Sequence, residues 1–240
     1  MLKVGYPHHE LEREIAAVRL YAGDGMCRLL EADEAHHAML LERFRPGEML
    51  VDLATSDDDA ATHIGAEVMR RLQRPVPDGP AGAAFEPIAA WFERAFAKHR
   101  AKYGGPGPFP AAVLERAKAL TADLLSSAPS EVLLHGDFHH YNVLSAEREP
   151  WLAIDPKGMT GDPGYEVGPF LLNPHRWGIG YLPERAQRRL DILADELEYD
   201  RARLRDWGIA HAVLSACWSA EGYGEEWRPA IAAAQTLIEL

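Results

Sequence analysis

The chain has 240 residues, of which 47% are hydrophobic and 26% charged, so it is long enough to bury a core as one large domain or two small ones. A formal net charge of −12 disfavours binding to nucleic acid through phosphate neutralisation and would attract a cationic small molecule. No apolar run approaches the roughly 20 residues that span a bilayer, residues 1–5 lack the features of a signal peptide, and the two cysteines lie far apart. We therefore expect a cytoplasmic protein without a membrane partner or a disulfide framework.

The sequence up to about residue 45 predicts a small α/β unit. Leu11, Ile15 and Val18 recur with the period of a helix, and residues 23–25 have the composition of a turn. In chain order, the predicted elements are a strand at 1–4, a helix at 9–21, and strands at 26–30 and 38–41. The Pro and Gly at 46 and 47 then interrupt the pattern.

From there to the C-terminus the sequence predicts mainly helices around a few strands. The apolar segment 132–134 has the length of a strand, and the segments 142–144 and 151–154 are typical of a hairpin around a charged turn. The predicted helices are 57–74, 83–102, 110–127, 165–173, 183–198, 201–220 and 226–239. Aromatic residues near the C-terminus are expected in the core or in the wall of a pocket: Trp177, Tyr181, Trp218, Tyr223 and Trp227.

Three polar residues near these strands have the spacing that phosphoryl transfer requires. Asp137 precedes Asn142 by five positions in a loop between apolar strands, and Asp155 ends the next strand. A carboxylate such as Asp137 can accept the proton of an attacking hydroxyl group and hold that group in line with a γ-phosphorus. The Asn142 and Asp155 side chains offer the hard oxygen ligands that Mg²⁺ prefers, and Mg²⁺ offsets the charge that builds on the phosphate oxygens.

The surrounding motifs resemble those of a known enzyme family. The protein-kinase catalytic loop has the pattern H-R-D followed by four residues and Asn, and here Gly136 stands in place of the Arg. The sequence is similar to the aminoglycoside phosphotransferase family, in particular to its streptomycin 6-kinase and hydroxyurea phosphotransferase branch. The motifs that carry the resemblance are HGDFHHYNVL at 135–144, IDPKG at 154–158 and GDPGYEVG at 161–168.

The resemblance implies an α+β, protein-kinase-like fold of two lobes. A partial nucleotide-binding lobe would occupy residues 1–45, and a mostly helical catalytic and substrate-binding lobe would occupy 46–240. ATP and Mg²⁺ would be the cofactors. The protein would be an ATP-dependent phosphotransferase that modifies a hydroxyl group of streptomycin or of hydroxyurea and thereby confers antibiotic resistance, as a monomer or a dimer.

The same resemblance assigns further roles in nucleotide binding. Lys3 would pair with the α- and β-phosphates, and Glu14 would hold Lys3 in place. The backbone of the linker at 40–44, which includes Glu42 and Phe44, would hydrogen-bond the edge of the adenine. Asp137 would be the catalytic base, as its position in the loop also indicates.

The chain departs from the family at its start. In the family a strand pair and a phosphate-covering loop precede the strand that carries the lysine, whereas Lys3 is the third residue here. We therefore expect a small lobe of three strands with an exposed edge. The loss of two or three charged hydrogen bonds would weaken nucleotide binding on the order of 10²–10⁵ times.

Two alternative functions follow from the same residues. The missing loop favours a catalytically impaired, kinase-like binding protein. The cluster of His135, His139 and His140 beside Asp137 could instead belong to a metal-dependent hydrolase, although His135 is better explained as a residue that shapes the loop. Lys157 is either a surface charge or a contact to phosphate or substrate.

Overall fold

The computed structural model describes residues 1–5, 9–174, 183–222 and 225–240. The strands are β1 Leu2–Val4, β2 Leu29–Asp33, β3 Ala38–Leu41, β4 Pro46–Met49, β5 Arg74–Pro75, β6 Glu86–Pro87, β7 Val132–Leu134, β8 Val143–Ala146, β9 Trp151–Ala153 and β10 Met159–Gly161. The α-helices are α1 His9–Tyr21, α2 Leu50–Ala54, α3 Asp58–Leu72, α4 Pro80–Ala83, α5 Ile88–Tyr103, α6 Ala111–Ser126, α7 Val167–Leu172, α8 Pro183–Leu197, α9 Arg201–Ser219 and α10 Arg228–Glu239. Within the described ranges, every helix is too short or too polar to cross a membrane.

The first unit is a three-stranded antiparallel sheet in the order β1-β3-β2, accompanied by α1. The α1 helix forms at the predicted residues and buries Ile15 and Val18, so its apolar face lies in the core. The β1 strand lies at one edge of the sheet, where the side chains of Leu2 and Val4 are exposed. The expected three-stranded small sheet with an exposed edge is therefore observed.

The strand predicted at 26–30 begins three residues later, at Leu29. The reason is a contact with a distant segment: Met26 is fully buried and forms an isolated parallel bridge with Ala153. The N–H groups of Cys27 and Ala153 donate to the carbonyls of Ala153 and Gly25, each at 2.9 Å. The backbone of residues 25–27 therefore pairs with β9, and the chain joins the small sheet only after this segment.

The rest of the chain packs helices around two further sheets, in the orders β4-β8-β9 and β5-β7-β10-β6. Helix α9 passes through the centre of this part and buries every residue from Trp207 to Leu214. A consecutive buried stretch of this length covers all sides of a helix, so it must have neighbours on all sides, and α5, α6, α7, α8 and α10 surround it.

Tertiary pairing shortens two of the predicted helices. The helix predicted at 57–74 ends at Leu72 because Arg74 and Pro75 pair with β7. The helix predicted at 83–102 begins at Ile88 because Glu86 and Pro87 pair in parallel with β10. The short elements β4, α2 and β10 carry no periodic pattern of their own. Trp177, Tyr181 and Tyr223 lie outside the described residues, while Trp227 packs against the core and Trp218 is more than one-third exposed.

Arg148 ties the turn of the β8–β9 hairpin to the first unit. Its Nε and Nη2 atoms lie 3.1 and 3.0 Å from the two carboxylate oxygens of Glu42. The same guanidinium donates to the carbonyls of Gly23 at 2.7 Å and Met26 at 3.0 Å. A planar guanidinium suits such a two-bond contact with a carboxylate. These four hydrogen bonds hold Gly23 and Met26, which precede β2, and Glu42, which follows β3.

His140 is fully buried in the loop that follows Asp137. Its ring stacks on Phe170, with 4.0 Å between the ring centroids and 20° between the planes. Neither ring nitrogen has a hydrogen-bond partner among the residues that the structure describes. Burial, together with the positive charge of Arg189, holds the pKa of His140 well below its usual range. The imidazole is therefore neutral in the folded protein at neutral pH.

We predict that Arg148→Met lowers the free energy of unfolding by about 1.5–3 kcal/mol, because it leaves the Glu42 carboxylate and two carbonyls without their charged donor. Arg205→Met is the matched control: that side chain is 24% exposed against 20% for Arg148, and among the described residues it pairs only with its neighbour Asp206. Urea unfolding of the three proteins measures the difference. Equal losses in the two variants would contradict the role assigned to Arg148.

We predict that His140→Phe makes the protein less sensitive to acid. Below about pH 6.5 the unfolded wild-type chain takes up a proton at position 140 and the folded chain does not, so wild-type stability falls with falling pH. Between pH 6.5 and 5 the wild type should lose up to about 1.4 kcal/mol per pH unit more than the variant. Unfolding free energies at pH 8, where both states carry a neutral ring, supply the packing baseline; a parallel pH dependence in the two proteins would refute the prediction.

Candidate active site

His135 holds together the two loops that carry the predicted site residues. Its ring is fully buried, with Nε2 donating to the Ile154 carbonyl at 2.8 Å and Nδ1 accepting from the Asp137 N–H at 3.2 Å. Its own carbonyl accepts the N–H of Lys157 at 2.6 Å. Burial lowers the pKa of His135 to about 4, which keeps the ring in the neutral form that this pair of bonds requires. The expectation that His135 shapes the loop is confirmed.

The turn before Asp137 depends on Gly136. This residue has φ +84°, a left-handed conformation that favours glycine. A Cβ atom at Gly136 would lie 2.8 Å from Cγ of Met159, so there is also no space for a side chain. Residue type and backbone conformation together fix the direction in which the chain enters the loop.

The carboxyl group of Glu166 accepts a hydrogen bond from the backbone of this turn, a contact that the sequence did not indicate. The Gly136 N–H lies 3.2 and 3.3 Å from the two carboxyl oxygens of Glu166. Burial raises the pKa of Glu166 to about 8, and the backbone N–H groups of Gly136 and His135 partly oppose that shift. Glu166 lies in the GDPGYEVG segment, but no spacing rule connects it to a residue 30 positions earlier.

Asn142 and Asp155 lie on either side of the β8–β9 hairpin, at its open end. The Nδ2 of Asn142 donates to the Asp137 carbonyl at 3.0 Å, which orients the side-chain amide and leaves its oxygen Oδ1 available to a cation. The Asn142 carbonyl accepts the N–H of Ile154 at 2.9 Å, which brings residue 155 alongside. Asp155 adopts a left-handed backbone conformation with φ +59°, a turn that a short polar side chain tolerates.

Lys3 connects the small sheet to Asp155. Its Nζ lies 2.6 Å from Oε1 of Glu14 and 2.9 Å from Oδ1 of Asp155. Burial alone would lower the pKa of Lys3, but the hydrogen bonds to these two carboxylates outweigh it and raise the pKa. The ammonium group is therefore charged at neutral pH and joins β1, α1 and the end of β9.

The carboxylate of Asp137 lies between two basic side chains. Its Oδ1 is 3.5 Å from Nε2 of His139, and its Oδ2 is 3.8 Å from Nζ of Lys157. Burial lowers the pKa of His139, against the attraction of Asp137. The histidines of the hydrolase alternative point to three environments: His135 to Ile154, His140 to Phe170 and His139 to Asp137. Among the residues in the described ranges, no group of three His, Cys, Asp or Glu side chains could hold a metal ion.

The linker residues Glu42 and Phe44 lie at the other end of the β8–β9 hairpin. The Glu42 N–H donates to the Arg28 carbonyl at 2.9 Å, and its carboxylate is bound by Arg148 in the hairpin turn. Phe44 is partly buried against the core. The hairpin thus has the linker at its turn and Asn142 and Asp155 at its open end.

The sequence is similar to known antibiotic resistance kinases along most of its length. A family model described as aminoglycoside/hydroxyurea antibiotic resistance kinase matches residues 1–222. Streptomycin 6-kinase of Streptomyces griseus is 35% identical over 232 residues, which cover 92% of this chain and 70% of that protein. Hydroxyurea phosphotransferase of Kitasatospora aureofaciens is 35% identical over 222 residues, which cover 92% of this chain and 62% of that protein.

The fold is also similar to that of a solved kinase structure. The crystal structure of a choline/ethanolamine kinase family protein from Mesorhizobium loti superposes with a TM-score of 0.72 at 15% identity, over 100% of this chain and 82% of that one. The predicted α+β, protein-kinase-like fold is confirmed. The relatives named here are kinases or phosphotransferases, so they do not support the alternative of a non-catalytic binding protein. The chain is an enzyme that belongs to the aminoglycoside/hydroxyurea antibiotic resistance kinase family.

Proposed function

We propose that this protein transfers the γ-phosphoryl group of ATP to a hydroxyl group of streptomycin or a related aminoglycoside, or of hydroxyurea. The observation that carries the proposal is the convergence of Asp137, Asn142 and Asp155 at the ends of two loops that His135 holds together. The net charge of −12 favours the cationic aminoglycoside over the neutral hydroxyurea. Resistance to the antibiotic would be the consequence, and the cytoplasm, which supplies ATP, would be the place of action.

In this proposal Asp137 is the catalytic base. Its side chain is about one-third exposed, so an acceptor hydroxyl can reach it from solvent. Its backbone N–H and carbonyl are held by His135 and Asn142, which leaves the carboxylate to orient the hydroxyl and take its proton. Asp137 thereby directs the acceptor oxygen toward the γ-phosphorus.

Asn142 and Asp155 would hold Mg²⁺ with phosphate oxygens and water. The donor set fits this ion, because Oδ1 of Asn142 and the carboxylate of Asp155 are hard oxygen ligands on two loops that the hydrogen bond from the Ile154 N–H to the Asn142 carbonyl joins. The ion supplies positive charge to the phosphate oxygens during transfer. Lys3, held by Glu14, would exchange its contact with Asp155 for the α- and β-phosphates when nucleotide enters.

The nucleotide would extend along the hairpin from the linker to Asp155. The backbone of Glu42 and Phe44 would hydrogen-bond the adenine edge, with the Glu42 side chain held aside by Arg148. Residues 1–45 would act as the nucleotide-binding lobe and residues 46–240 as the catalytic and acceptor-binding lobe. The enzyme would function as a monomer or a dimer.

We predict that Asp137→Asn lowers acceptor-dependent ATP consumption by about 10²–10⁴-fold, because the amide cannot take the proton. The Kd for Mg-ADP should change little, since the backbone contacts of residue 137 are retained. Asp123→Asn, on the exposed side of α6, is the control. A coupled assay with streptomycin and hydroxyurea as separate acceptors measures turnover. Full activity in Asp137→Asn would refute the mechanism, whereas ATP consumption without any acceptor would point to hydrolysis.

We predict that Asp155→Asn raises the Mg²⁺ concentration needed for half-maximal turnover by about tenfold or more, because one charged ligand becomes neutral. Titration of turnover with MgCl₂ at saturating ATP measures the shift. Glu14→Gln serves as the comparison, since it also removes the negative charge of a Lys3 partner but changes no proposed ligand. An equal rise in the Mg²⁺ requirement of both variants would mean that Asp155 acts by pairing with Lys3 and not by binding the metal.

A further inference from the structure

Each of the two carboxylates at the centre of the site has a lysine beside it. Lys3 lies against Asp155 and is held by short contacts with the carboxylates of Glu14 and Asp155. Lys157 lies on the other side, with Nζ 3.8 Å from Oδ2 of Asp137, which is beyond hydrogen-bond distance. Within the described parts of the chain, Asp137 is the carboxylate partner of this ammonium group. Lys157 therefore keeps N–H donors for a further ligand.

The backbone of Lys157 is fixed although its ammonium group is not. Its N–H donates to the His135 carbonyl at 2.6 Å. A Cβ atom at Gly136 would lie 3.2 Å from the Cβ of Lys157, so the absence of a side chain at Gly136 gives Lys157 its space. The next residue, Gly158, has φ +62° and lies so close to α1 that a Cβ there would be 2.8 Å from the Arg13 carbonyl. The Lys157 side chain thus starts from a rigid position beside Asp137.

The location between the proposed base and the proposed metal ligand is where the transferred group must pass. Lys157 is two residues from Asp155 and faces Asp137, so its ammonium group borders the space between them. During phosphoryl transfer, negative charge is spread over the three equatorial oxygens of the γ-phosphoryl group. A protonated amine at this point can donate to one of those oxygens without moving its backbone.

We propose that Lys157 is a catalytic residue whose ammonium group binds a γ-phosphoryl oxygen of ATP, an inference that rests on the proposed phosphotransferase function. The acceptor oxygen forms a bond to the γ-phosphorus while its proton passes to Asp137. The bond from the γ-phosphorus to the bridging oxygen breaks, and its electron pair leaves with ADP. Lys157 exchanges no proton in this step; it supplies charge and one hydrogen bond.

Loss of the Lys157 ammonium group should weaken the binding of nucleotides that carry a γ-phosphoryl group and leave the binding of other nucleotides nearly unchanged. Binding of AMP-PNP and of ADP, each with Mg²⁺, is measured by calorimetry for the wild type and for Lys157→Met. The variant should bind AMP-PNP about 10–100-fold more weakly, as expected for one charged hydrogen bond, and ADP within about twofold of the wild type. Lys118→Met is the matched control, since that side chain is 36% exposed against 37% for Lys157 and pairs with Glu115 in a helix.

Turnover supplies the second readout. In Lys157→Met, kcat should fall by about 10²–10³-fold, the usual effect of removing one donor to a developing negative charge. The KM for the acceptor should stay near the wild-type value. Lys157→Arg, which keeps the charge, should recover part of the loss. Thermal melting of all variants verifies that the half-exposed substitutions leave the fold intact.

Several outcomes would overturn the proposal. If Lys157→Met loses affinity for AMP-PNP and for ADP equally, Lys157 serves to shape the loop. If its AMP-PNP affinity is unchanged and its acceptor KM is raised, Lys157 binds the acceptor. If it behaves like Lys118→Met, Lys157 is a surface charge. If the wild type binds AMP-PNP in a Lys157-dependent way but consumes no ATP with streptomycin or hydroxyurea, the acceptor assignment fails and Lys157 stands. If the wild type binds neither nucleotide, both proposals fail.

Discussion

The site depends on one buried imidazole that joins two loops. His135 bonds the Ile154 carbonyl through Nε2 and the Asp137 N–H through Nδ1, while its own carbonyl accepts the N–H of Lys157. Because all three bonds involve backbone atoms, they fix the path of both loops and leave the functional side chains free. A protonated ring could not accept from Asp137, so burial, which lowers the pKa of His135 to about 4, is part of the architecture.

Two of the side-chain contacts that attach the small sheet to the rest of the chain differ in character. Lys3 makes a direct ionic contact with Asp155, in the region where phosphate chemistry would occur. Arg148 binds Glu42 and two carbonyls at the far end of the hairpin, where the contact is structural. In the proposed function Lys3 would exchange the first contact for phosphate, whereas the contact of Arg148 would stay in place. This difference would suit a nucleotide-binding lobe that receives its ligand and still keeps its position.

Local patterns in the sequence were sufficient for much of the fold. Helices with a clear period, such as α1, were predicted to the residue because their apolar faces specify both shape and burial. Predicted boundaries were wrong where pairing with a distant segment sets the start of an element: Met26 pairs with Ala153, and Glu86 pairs with β10. Two- or three-residue strands of this kind have no periodicity to detect.

The same distinction applies to the site. Asp137, Asn142 and Asp155 could be selected from spacing, and the structure brings them together, while their roles and those of Lys3, Glu14, Glu42 and Phe44 remain proposals. The contacts of Glu166 with Gly136 and of Arg148 with Glu42 could not be predicted, since they join residues 30 and 106 positions apart. Side chains that support a site from a distance leave no local signature.

The β8–β9 hairpin acts as a spacer of fixed length. Four strand residues at about 3.3 Å each separate Asn142 from the turn that binds the linker. Surface turns usually accept insertions, but two extra residues in each strand would move this turn by about 7 Å while preserving which side chains face the core. Arg148 would then miss Glu42, although every residue around Asp137 was unchanged. A hairpin whose turn lies far from the chemistry is therefore subject to a length constraint as strict as the identity of the residues at its open end.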